Sequence, residues 1–180
     1  PTNPFTVGSG RDALLCRYKS GRRILDDQDQ LTLEWAGVKS QYHAALMKTV
    51  IVGRPSERHV ELHTAAREAL DAVEAAMVPG SSFGDVFDAH AAVMEAHELV
   101  RHRLSACGYS LGARYAPSWM DTPMFYSGNP QPIVPDMTLF AHMIIMDSDT
   151  DTAMTLGRTY LTTTGAPEPL SRLSLDLISV

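Results

Sequence analysis

Two residues, Glu34 and His142, place reactive side chains inside apolar segments of the sequence. Glu34 lies in DQLTLEWAGV, residues 29–38, and His142 lies in LFAHMIIM. A carboxylate among apolar neighbours is a candidate base or nucleophile, and imidazole changes its charge near neutral pH. Each residue also has a purely structural interpretation, Glu34 as a solvent-facing strand residue and His142 as a hydrogen-bonded core histidine.

The segment GYSLG, residues 108–112, matches the G-x-S-x-G nucleophile elbow of α/β-hydrolases. That elbow needs a strand before the serine and a helix after it, because the sharp bend between them exposes the serine oxygen. The sequence predicts a helix before the segment, and ARYAP after it has no helical pattern. We therefore do not interpret Ser110 as a nucleophile.

Two other motifs imitate metal sites. HVELH, residues 59–63, spaces two histidines four apart, but the zinc motif needs Glu directly after the first histidine, where Val60 stands. DSDTDT, residues 147–152, begins like a calcium loop but has Thr152 in place of its Gly and Arg158 in place of its Glu. We interpret the first motif as a surface pair of histidines and the second as a polar hairpin turn.

The segment 109–136 combines five prolines with many aromatic residues and no hydrophobic period. Aromatic side chains with one cation and one anion could line a pocket for a small polar ligand. The same set would equally suit a dimer interface. The residues concerned are Tyr109, Arg114, Tyr115, Trp119, Asp121, Phe125 and Tyr126.

The hydrophobic pattern predicts a single α+β domain over residues 1–180. Alternating or β-rich segments predict strands, and serine-capped segments with apolar residues near one face predict helices. Residues 152–167 are expected to form one or two strands, bent at Gly157. The predicted elements are a hairpin of strands 29–38 and 42–53, helices 56–77 and 83–108, a long loop 109–136, and strands 136–149 and 152–167.

Composition and charge exclude several classes of function. The formal net charge is −6 and no basic stripe is present, which argues against nucleic acid as a partner. No apolar run approaches the roughly 18–20 residues of a membrane span, and the opening PTNPFTVGSGRD lacks a secretory pattern. Cys16 and Cys107 make no zinc pattern, so we expect both to be reduced and buried. These features predict a cytoplasmic protein without membrane partners.

Three segments also carry a family resemblance. They are LTLEWAGVKSQYHAALMKTVIVG, GYSLG, and PDMTLFAHM followed by YLTTTGAPEPLS. In this order they resemble motifs of the pita-bread family, which includes creatinase, aminopeptidase P, prolidase and methionine aminopeptidase. The resemblance covers roughly residues 8–175. It implies a curved antiparallel sheet covered by helices, as the C-terminal portion of an enzyme whose N-terminal domain is absent here.

The peptidases of this family hold two metal ions with two Asp, one His and two Glu. A dinuclear site needs carboxylates to bridge and balance two cations. Because most of these carboxylates are substituted here, the resemblance implies a protein without a metal or other cofactor. It places the five ligand positions, in chain order, on Glu34, Ala45, Tyr109, His142 and either Leu156 or Gly157.

Within the family, GYSLGARYAPSWMD and HMIIMDSDT are similar to ectoine hydrolases, which open the cyclic amidine of ectoine. This resemblance implies a metal-independent C–N hydrolase with Glu34 as nucleophile and with His142 and Tyr109 as further catalytic residues. An aromatic box suits an amidinium cation, and an arginine can bind the substrate carboxylate through two hydrogen bonds. The implied substrate-binding residues are Arg17, His43, Arg114, Tyr115, Trp119 and Asp121.

Two alternatives stay open beside this hypothesis. One is a metal-dependent dipeptidase or aminopeptidase that acts on Xaa-Pro bonds. The other is a non-catalytic binding or dimerisation module, since a fold by itself does not settle a function. The family resemblance also implies a homodimer that takes a small-molecule substrate.

Overall fold

The computed structural model describes residues 5–16, 21 and 23–180, which form one curled sheet with two helices on one side. None of the helices in these residues is long and apolar enough to span a membrane. Short 3-10 helices occupy Gly10–Leu14 and Val100–His102. The strands are β1 (Thr6–Ser9), β2 (Asp29–Lys39), β3 (Tyr42–Val52), β4 (Gly108–Leu111), β5 (Met120–Met124), β6 (Thr138–Asp147), β7 (Thr152–Leu161), β8 (Glu168–Pro169) and β9 (Ile178–Ser179), and the α-helices are α1 (Glu57–Ala76) and α2 (Phe83–Ala96).

Seven strands cross the sheet in the order β1-β2-β3-β7-β6-β4-β5, and each neighbouring pair is antiparallel. β8 adds to β7, and β9 runs parallel to β3. The turn between β2 and β3 consists of Ser40 and Gln41, whose φ values are 49° and 67°. Positive φ at both turn residues matches the twist of the flanking strands and fixes the register of the hairpin.

The two helices cover one face of the sheet, which we name the helical face. Each helix begins with a capping box, formed by Ser56 with His59 and by Ser82 with Asp85. Buried apolar side chains of both helices pack against alternate residues of β6 and β7 and form the larger core cluster. The strand residues in this cluster are Leu139, Ala141, Met143, Ile145, Met154, Leu156 and Tyr160.

The opposite face of the sheet is concave. Because successive side chains of a strand point to opposite faces, the register assigns every residue of β2, β3, β7, β6 and β4 to one face or the other. A smaller apolar cluster lies on the concave face, and it contains Ala36, Ala45, Met47, Tyr109, Leu111, Trp119, Phe140 and Ile144.

The contact between β3 and β7 depends on threonine side chains. Backbone pairing between these strands is limited to three residue pairs. Beyond one end, the Thr159 hydroxyl accepts from the Ala45 N–H (2.9 Å) and donates to the Ala45 carbonyl (2.7 Å). Beyond the other end, the Thr49 hydroxyl accepts from the Thr155 N–H (2.8 Å). These hydroxyls satisfy three buried backbone groups where the strands diverge, which helps the sheet to curl at this seam.

A buried glutamine joins the strand ends. The side-chain amide of Gln30 donates to the carbonyls of Gly10 and Asp151, and its oxygen accepts from the Ala153 N–H. The residue is 6% exposed. Because a buried polar group is tolerated only when it is hydrogen-bonded, Gln30 ties β2 to the β6–β7 turn in one arrangement.

The predicted α+β class, with a curved antiparallel sheet covered by helices, is confirmed. The strands at 29–38, 42–53 and 136–149 correspond to β2, β3 and β6. Ser110 lies on β4 with no helix after it, so the elbow is absent and its rejection is confirmed. DSDTDT is the polar turn between β6 and β7, as predicted.

Three predictions of local structure were wrong. The helix predicted over 83–108 ends at Ala96, because the chain turns at Glu98, whose φ is 58°. The predicted loop 109–136 contains β5 and most of β4, which are short and carry little periodicity. Cys107 is buried as expected, whereas Cys16 is half-buried. By contrast, β7 is continuous through Gly157, which agrees with one strand of the one or two that were predicted there.

The buried His90 of α2 should make the stability of the fold depend on pH. His90 is 1% exposed, and burial, with a smaller contribution from the nearby Arg103 charge, lowers the pKa of His90 to about 4. Unfolded histidine binds a proton near pH 6.5. The stabilising contribution is therefore present above about pH 6.5 and is lost as the pH falls towards 4.

We expect the free energy of unfolding to fall by about 2 kcal/mol between pH 7 and pH 5 through His90 alone. Urea denaturation at both pH values measures this change. His90→Leu should remove this part of the pH dependence, while His97→Leu, at the half-exposed end of α2, should keep it. The same slope in His90→Leu as in the parent would contradict the assignment.

Candidate active site

Glu34 and His142 lie in one row of residues that crosses four strands of the concave face. The register places Glu34 opposite Met47, Met47 opposite Gly157, and Gly157 opposite His142. Glu34 is 5% exposed and His142 is 6% exposed. The interpretation of Glu34 as a solvent-facing strand residue is therefore wrong, and His142 shares its face.

Tyr109 reaches Glu34 from the other side of the curled sheet. On β4, Tyr109 stands opposite Phe140 of β6, so that β6, β7 and β3 all lie between it and β2. The Tyr109 hydroxyl nevertheless donates to Glu34 Oε1 over 3.3 Å. The Trp119 indole N–H in turn donates to the Tyr109 oxygen over 2.9 Å. Trp119, Tyr109 and Glu34 thus form one buried chain of hydrogen bonds.

The contact between Tyr109 and Glu34 requires a strongly curled sheet. Neighbouring strands lie about 4.8 Å apart, so four steps would separate β2 from β4 by about 19 Å in a flat sheet. That separation is more than a tyrosine and a glutamate side chain can bridge. A register shift between Tyr109 and Leu111, where β4 pairs with β5, adds local bending. The curl therefore creates the site from residues on distant strands.

Three rings form the wall of the concave face beside Glu34. The ring centroids are separated by 5.4 Å for Tyr109 and Phe140, 5.6 Å for Tyr109 and His142, and 5.7 Å for Phe140 and His142. These separations are in the favourable range of about 4.5–7 Å for aromatic pairs. The imidazole is thus held against the same tyrosine that contacts the carboxylate.

Two cavities adjoin Glu34. The smaller has a volume of about 10 Å³ and is lined in part by Cys16, Thr32 and Met146; a space of this order holds about one water molecule. The larger has about 250 Å³ and opens along β1 beside Phe5. Ligand pockets usually measure about 300–1,000 Å³. The smaller cavity therefore has room for about one water molecule, and the larger one, at the edge formed by β1 and β2, is slightly below the usual size of a ligand pocket.

Two of the predicted substrate-binding residues are buried. Trp119 is 1% exposed, and its indole N–H is directed at Tyr109. His43 lies near the β2–β3 turn and is 4% exposed. It borders a groove of about 380 Å³ that Leu111 also lines. The structure therefore brings Trp119 to Tyr109, which is the hydrogen-bond partner of Glu34, and places His43 at one end of the concave face.

The remaining predicted residues lie at the surface or outside the described residues. Arg114 and Asp121 bind each other, with a 3.4 Å contact between Nη1 and Oδ1. Tyr115 is 73% exposed. Arg17 lies outside the residues that the structure describes. The roles predicted for these residues stay predictions.

The sequence analysis missed Phe140, which is fully buried at the centre of the concave face. A Cβ atom added to Gly157 would lie 2.8 Å from Phe140 Cζ, closer than such atoms approach in proteins. The ring thus occupies the space that a side chain at Gly157 would need. A signal was present, because Phe140 and His142 are two positions apart and residues so spaced share a face of a strand.

The HVELH histidines have separate partners. His59 contacts the Ser56 hydroxyl and the Gln30 side-chain oxygen, and His63 contacts the Leu175 carbonyl. They do not converge on one point, which agrees with the rejection of a zinc motif. They are half-buried rather than freely exposed.

One group of three potential metal donors occurs within the described residues, formed by His102, Asp147 and Asp149. It lies at the end of β6, away from Glu34. Arg58 binds Asp147 at 2.7 Å, and Arg101 binds Asp149. Since arginines already balance both carboxylates, we interpret this group as an ion-pair network.

The sequence profile of metallopeptidase family M24 matches residues 2–164. The chain belongs to this family. The predicted pita-bread relationship is thereby confirmed.

Curated relatives of the M24 chain include two proteins of Sinorhizobium fredii, both named "uncharacterized hydrolase/peptidase". One is 28% identical over 87% of this chain and 39% of its own length. The other is 24% identical over 98% of this chain and 44% of its own length. The ectoine hydrolase of Halomonas elongata is 32% identical over 58% of this chain and 26% of its own length. The chain thus spans less than half the length of the curated relatives it matches.

Solved structures share the fold over nearly the whole chain. Dipeptidase PepE of Mycobacterium ulcerans has a TM-score of 0.90 at 20% identity, covering 98% of this chain and 46% of that protein. The Xaa-Pro dipeptidase of Bacillus anthracis has a TM-score of 0.92 at 15% identity, covering 99% and 49%. Similarity at this level of identity shows the fold alone.

The concave face does not fit the two-metal site that the family resemblance describes. Of the five ligand positions that the resemblance places on this chain, two carry a strong metal donor, Glu34 and His142. The register puts Gly157, not Leu156, on the concave face. The ring of Phe140 fills the space in front of that glycine. We therefore derive no chemical step through a metal ion.

The packing against Gly157 can be tested by adding one methyl group. A Cβ there would lie 2.8 Å from Phe140 Cζ and 3.0 Å from Met47 Cβ. We expect Gly157→Ala to lower the free energy of unfolding by about 1–3 kcal/mol, because overpacking forces neighbours from their rotamers. Urea denaturation provides the measurement.

Gly37→Ala on β2 is the matched control, since no atom lies within 4 Å of its added Cβ. Phe140→Leu should cost less in the Gly157→Ala background than in the parent, because the smaller side chain relieves the clash. Strictly additive effects would show that Phe140 is not the cause.

Proposed function

We propose that this chain carries the reacting carboxylate of a metal-independent C–N hydrolase that opens a cyclic amidine such as ectoine. The observation that carries the proposal is a buried Glu34 in contact with the Tyr109 hydroxyl. The family resemblance adds that Gly157 and Ala45 stand where the peptidases have metal ligands. A carboxylate in this setting has lone pairs available to bond carbon. The 32% identical segment of an ectoine hydrolase supports the substrate class.

In the proposed reaction, a Glu34 oxygen bonds to the amidine carbon of the protonated ring, and the carbon–nitrogen π electrons move to a ring nitrogen. The ring C–N bond then breaks, and the nitrogen leaves as an amine after it receives a proton, which leaves an imidate ester on Glu34. Water adds to the imidate carbon and gives up a proton. The bond between that carbon and the Glu34 oxygen then breaks, which releases the amide product and the carboxylate. A covalent intermediate divides one difficult step into two easier ones. We assign the proton transfers to His142.

Charge and shape favour a small, flat, cationic substrate. An amidinium can pair with the Glu34 carboxylate and lie over an aromatic face such as that of Tyr109. A carboxylate on the substrate would need an arginine as partner. Arg114 could take this role only if Asp121 released it, so Arg17 stays the alternative partner in this proposal.

A metal-dependent Xaa-Pro dipeptidase is the second candidate. The solved dipeptidases share the fold over nearly the whole chain. The third candidate is a non-catalytic binding module. Two further features belong to the proposal for each candidate: the cytoplasmic location that the composition predicts and the homodimer that the family resemblance implies.

Metal analysis and two substrates separate these candidates. The assay uses the longest natural protein that contains this chain, purified and analysed by mass spectrometry for bound Mn, Co and Zn. We propose that ectoine is hydrolysed and that EDTA leaves the rate unchanged. Two metal equivalents with EDTA-sensitive cleavage of an Xaa-Pro dipeptide would favour the second candidate. If the protein hydrolyses neither ectoine nor the dipeptide, the result would favour the non-catalytic binding module.

Glu34→Gln tests the nucleophile. Because an amide cannot form the ester-like bond, we expect turnover of ectoine to fall by more than about 10³-fold, while binding of ectoine persists. Mass spectrometry of denatured protein should show a covalent adduct in the parent and none in the variant. Glu95→Gln on the exposed face of α2 is the control. Substantial turnover by Glu34→Gln would rule out covalent catalysis at this residue.

His142→Ala tests the proton-transfer role. General acid–base groups contribute about 10²–10⁴-fold, so turnover should fall by that factor. His90→Ala is the matched control, because His90 is also buried, 1% exposed against 6% for His142, but belongs to α2 on the helical face. It should lower stability and leave the rate intact. An unchanged rate with reduced stability in His142→Ala would leave only the core interpretation.

A further inference from the structure

The position of Trp119 suggests a role other than substrate binding. Its indole is buried, and the N–H donates to the Tyr109 oxygen over 2.9 Å. We propose that Trp119 is a positioning residue that holds the Tyr109 hydroxyl as a hydrogen-bond donor to Glu34. The reacting role of Glu34 rests on the proposed function, whereas the hydrogen-bond chain rests on the structure.

The number of donors and acceptors on each side chain determines the direction of the hydrogen bonds that link Trp119, Tyr109 and Glu34. An indole N–H can only donate, and a tyrosine hydroxyl has one hydrogen and two lone pairs. At the 2.9 Å contact the Tyr109 oxygen must therefore accept. The Tyr109 hydrogen is then left for Glu34 Oε1 at 3.3 Å. An ionised carboxylate can only accept, so each member of the chain has a compatible partner.

Hydrogen bonds that run in this direction favour the ionised form of the Glu34 carboxylate. A hydroxyl that accepts a hydrogen bond becomes a stronger donor, because bonds in a chain polarise one another. A hydrogen bond to the charged form of an acid favours that form. Trp119 thus acts on Glu34 through Tyr109, and it stabilises the form that attacks carbon.

The chain topology supports this positioning role. Trp119 directly precedes β5, and β5 pairs with β4, which carries Tyr109. Donor and acceptor of the 2.9 Å bond therefore belong to one hairpin. The hairpin holds the Tyr109 hydroxyl over the concave face. There it contacts the Glu34 side chain, which belongs to β2.

Titration of Glu34 provides a test that does not depend on turnover. Carbon-13 labelled glutamate is followed by NMR from pH 3 to pH 9, and Glu34→Gln assigns the signal. We expect Tyr109→Phe to move the Glu34 titration upwards by about 0.5–1 pH unit. Trp119→Phe should move it in the same direction by a smaller amount. In the Tyr109→Phe background, Trp119→Phe should have no further effect.

Two controls make the result specific. Trp35→Phe alters the tryptophan next to Glu34 in sequence, whose side chain is on the other face of β2, and it should leave the titration unchanged. If Trp119→Phe does not fold, benzothienylalanine at position 119 replaces the N–H by sulfur in a ring of the same shape. It should reproduce the shift.

An effect of Trp119→Phe that is equally large with and without the Tyr109 hydroxyl would overturn the proposal, as would no effect at all. The proposed function is tested separately by ectoine turnover. A protein without turnover that still shows the coupled titration would keep the hydrogen-bond chain and discard the hydrolase.

Discussion

The contact between Tyr109 and Glu34 joins two strands that a flat sheet would hold far apart, and much of the structure follows from the curl that permits it. The helices cover only one face, so the sheet can bend towards the other. Threonine hydroxyls satisfy the backbone where β3 and β7 diverge. Without such side-chain bonds, the divergence would leave buried polar groups unpaired, which costs free energy.

The same curl explains how a carboxylate is tolerated on an apolar face. Burying a charge is costly unless hydrogen bonds compensate for it, and Tyr109 supplies one to Glu34. The family resemblance places several metal-ligand positions of the peptidases on residues that are poor metal donors, among them Gly157. The ring of Phe140 fills the space before Gly157, so a larger side chain at that position would not fit without movement of the ring.

Local signals predicted the long elements well and the short ones poorly. β2, β3 and β6 have at least ten residues each, and their alternating or apolar patterns extend over their whole length. β4 and β5 have four and five residues, too few for a pattern to be distinguished from a loop. The end of α2 was also missed, because a turn through Glu98 depends on a backbone conformation that this residue type seldom adopts.

The sequence by itself determined the fold class, the family and the two residues of interest, because strand periodicity and motif order are local properties of the chain. Only the tertiary structure decided that the polar side of β2, with Glu34, is the more deeply buried one. It also decided that Trp119 contacts Tyr109 rather than solvent, and that Gly157 and not Leu156 shares the face of Glu34. The reason is physical: burial and contact depend on strand register and sheet curvature, which arise from pairings between residues distant in sequence.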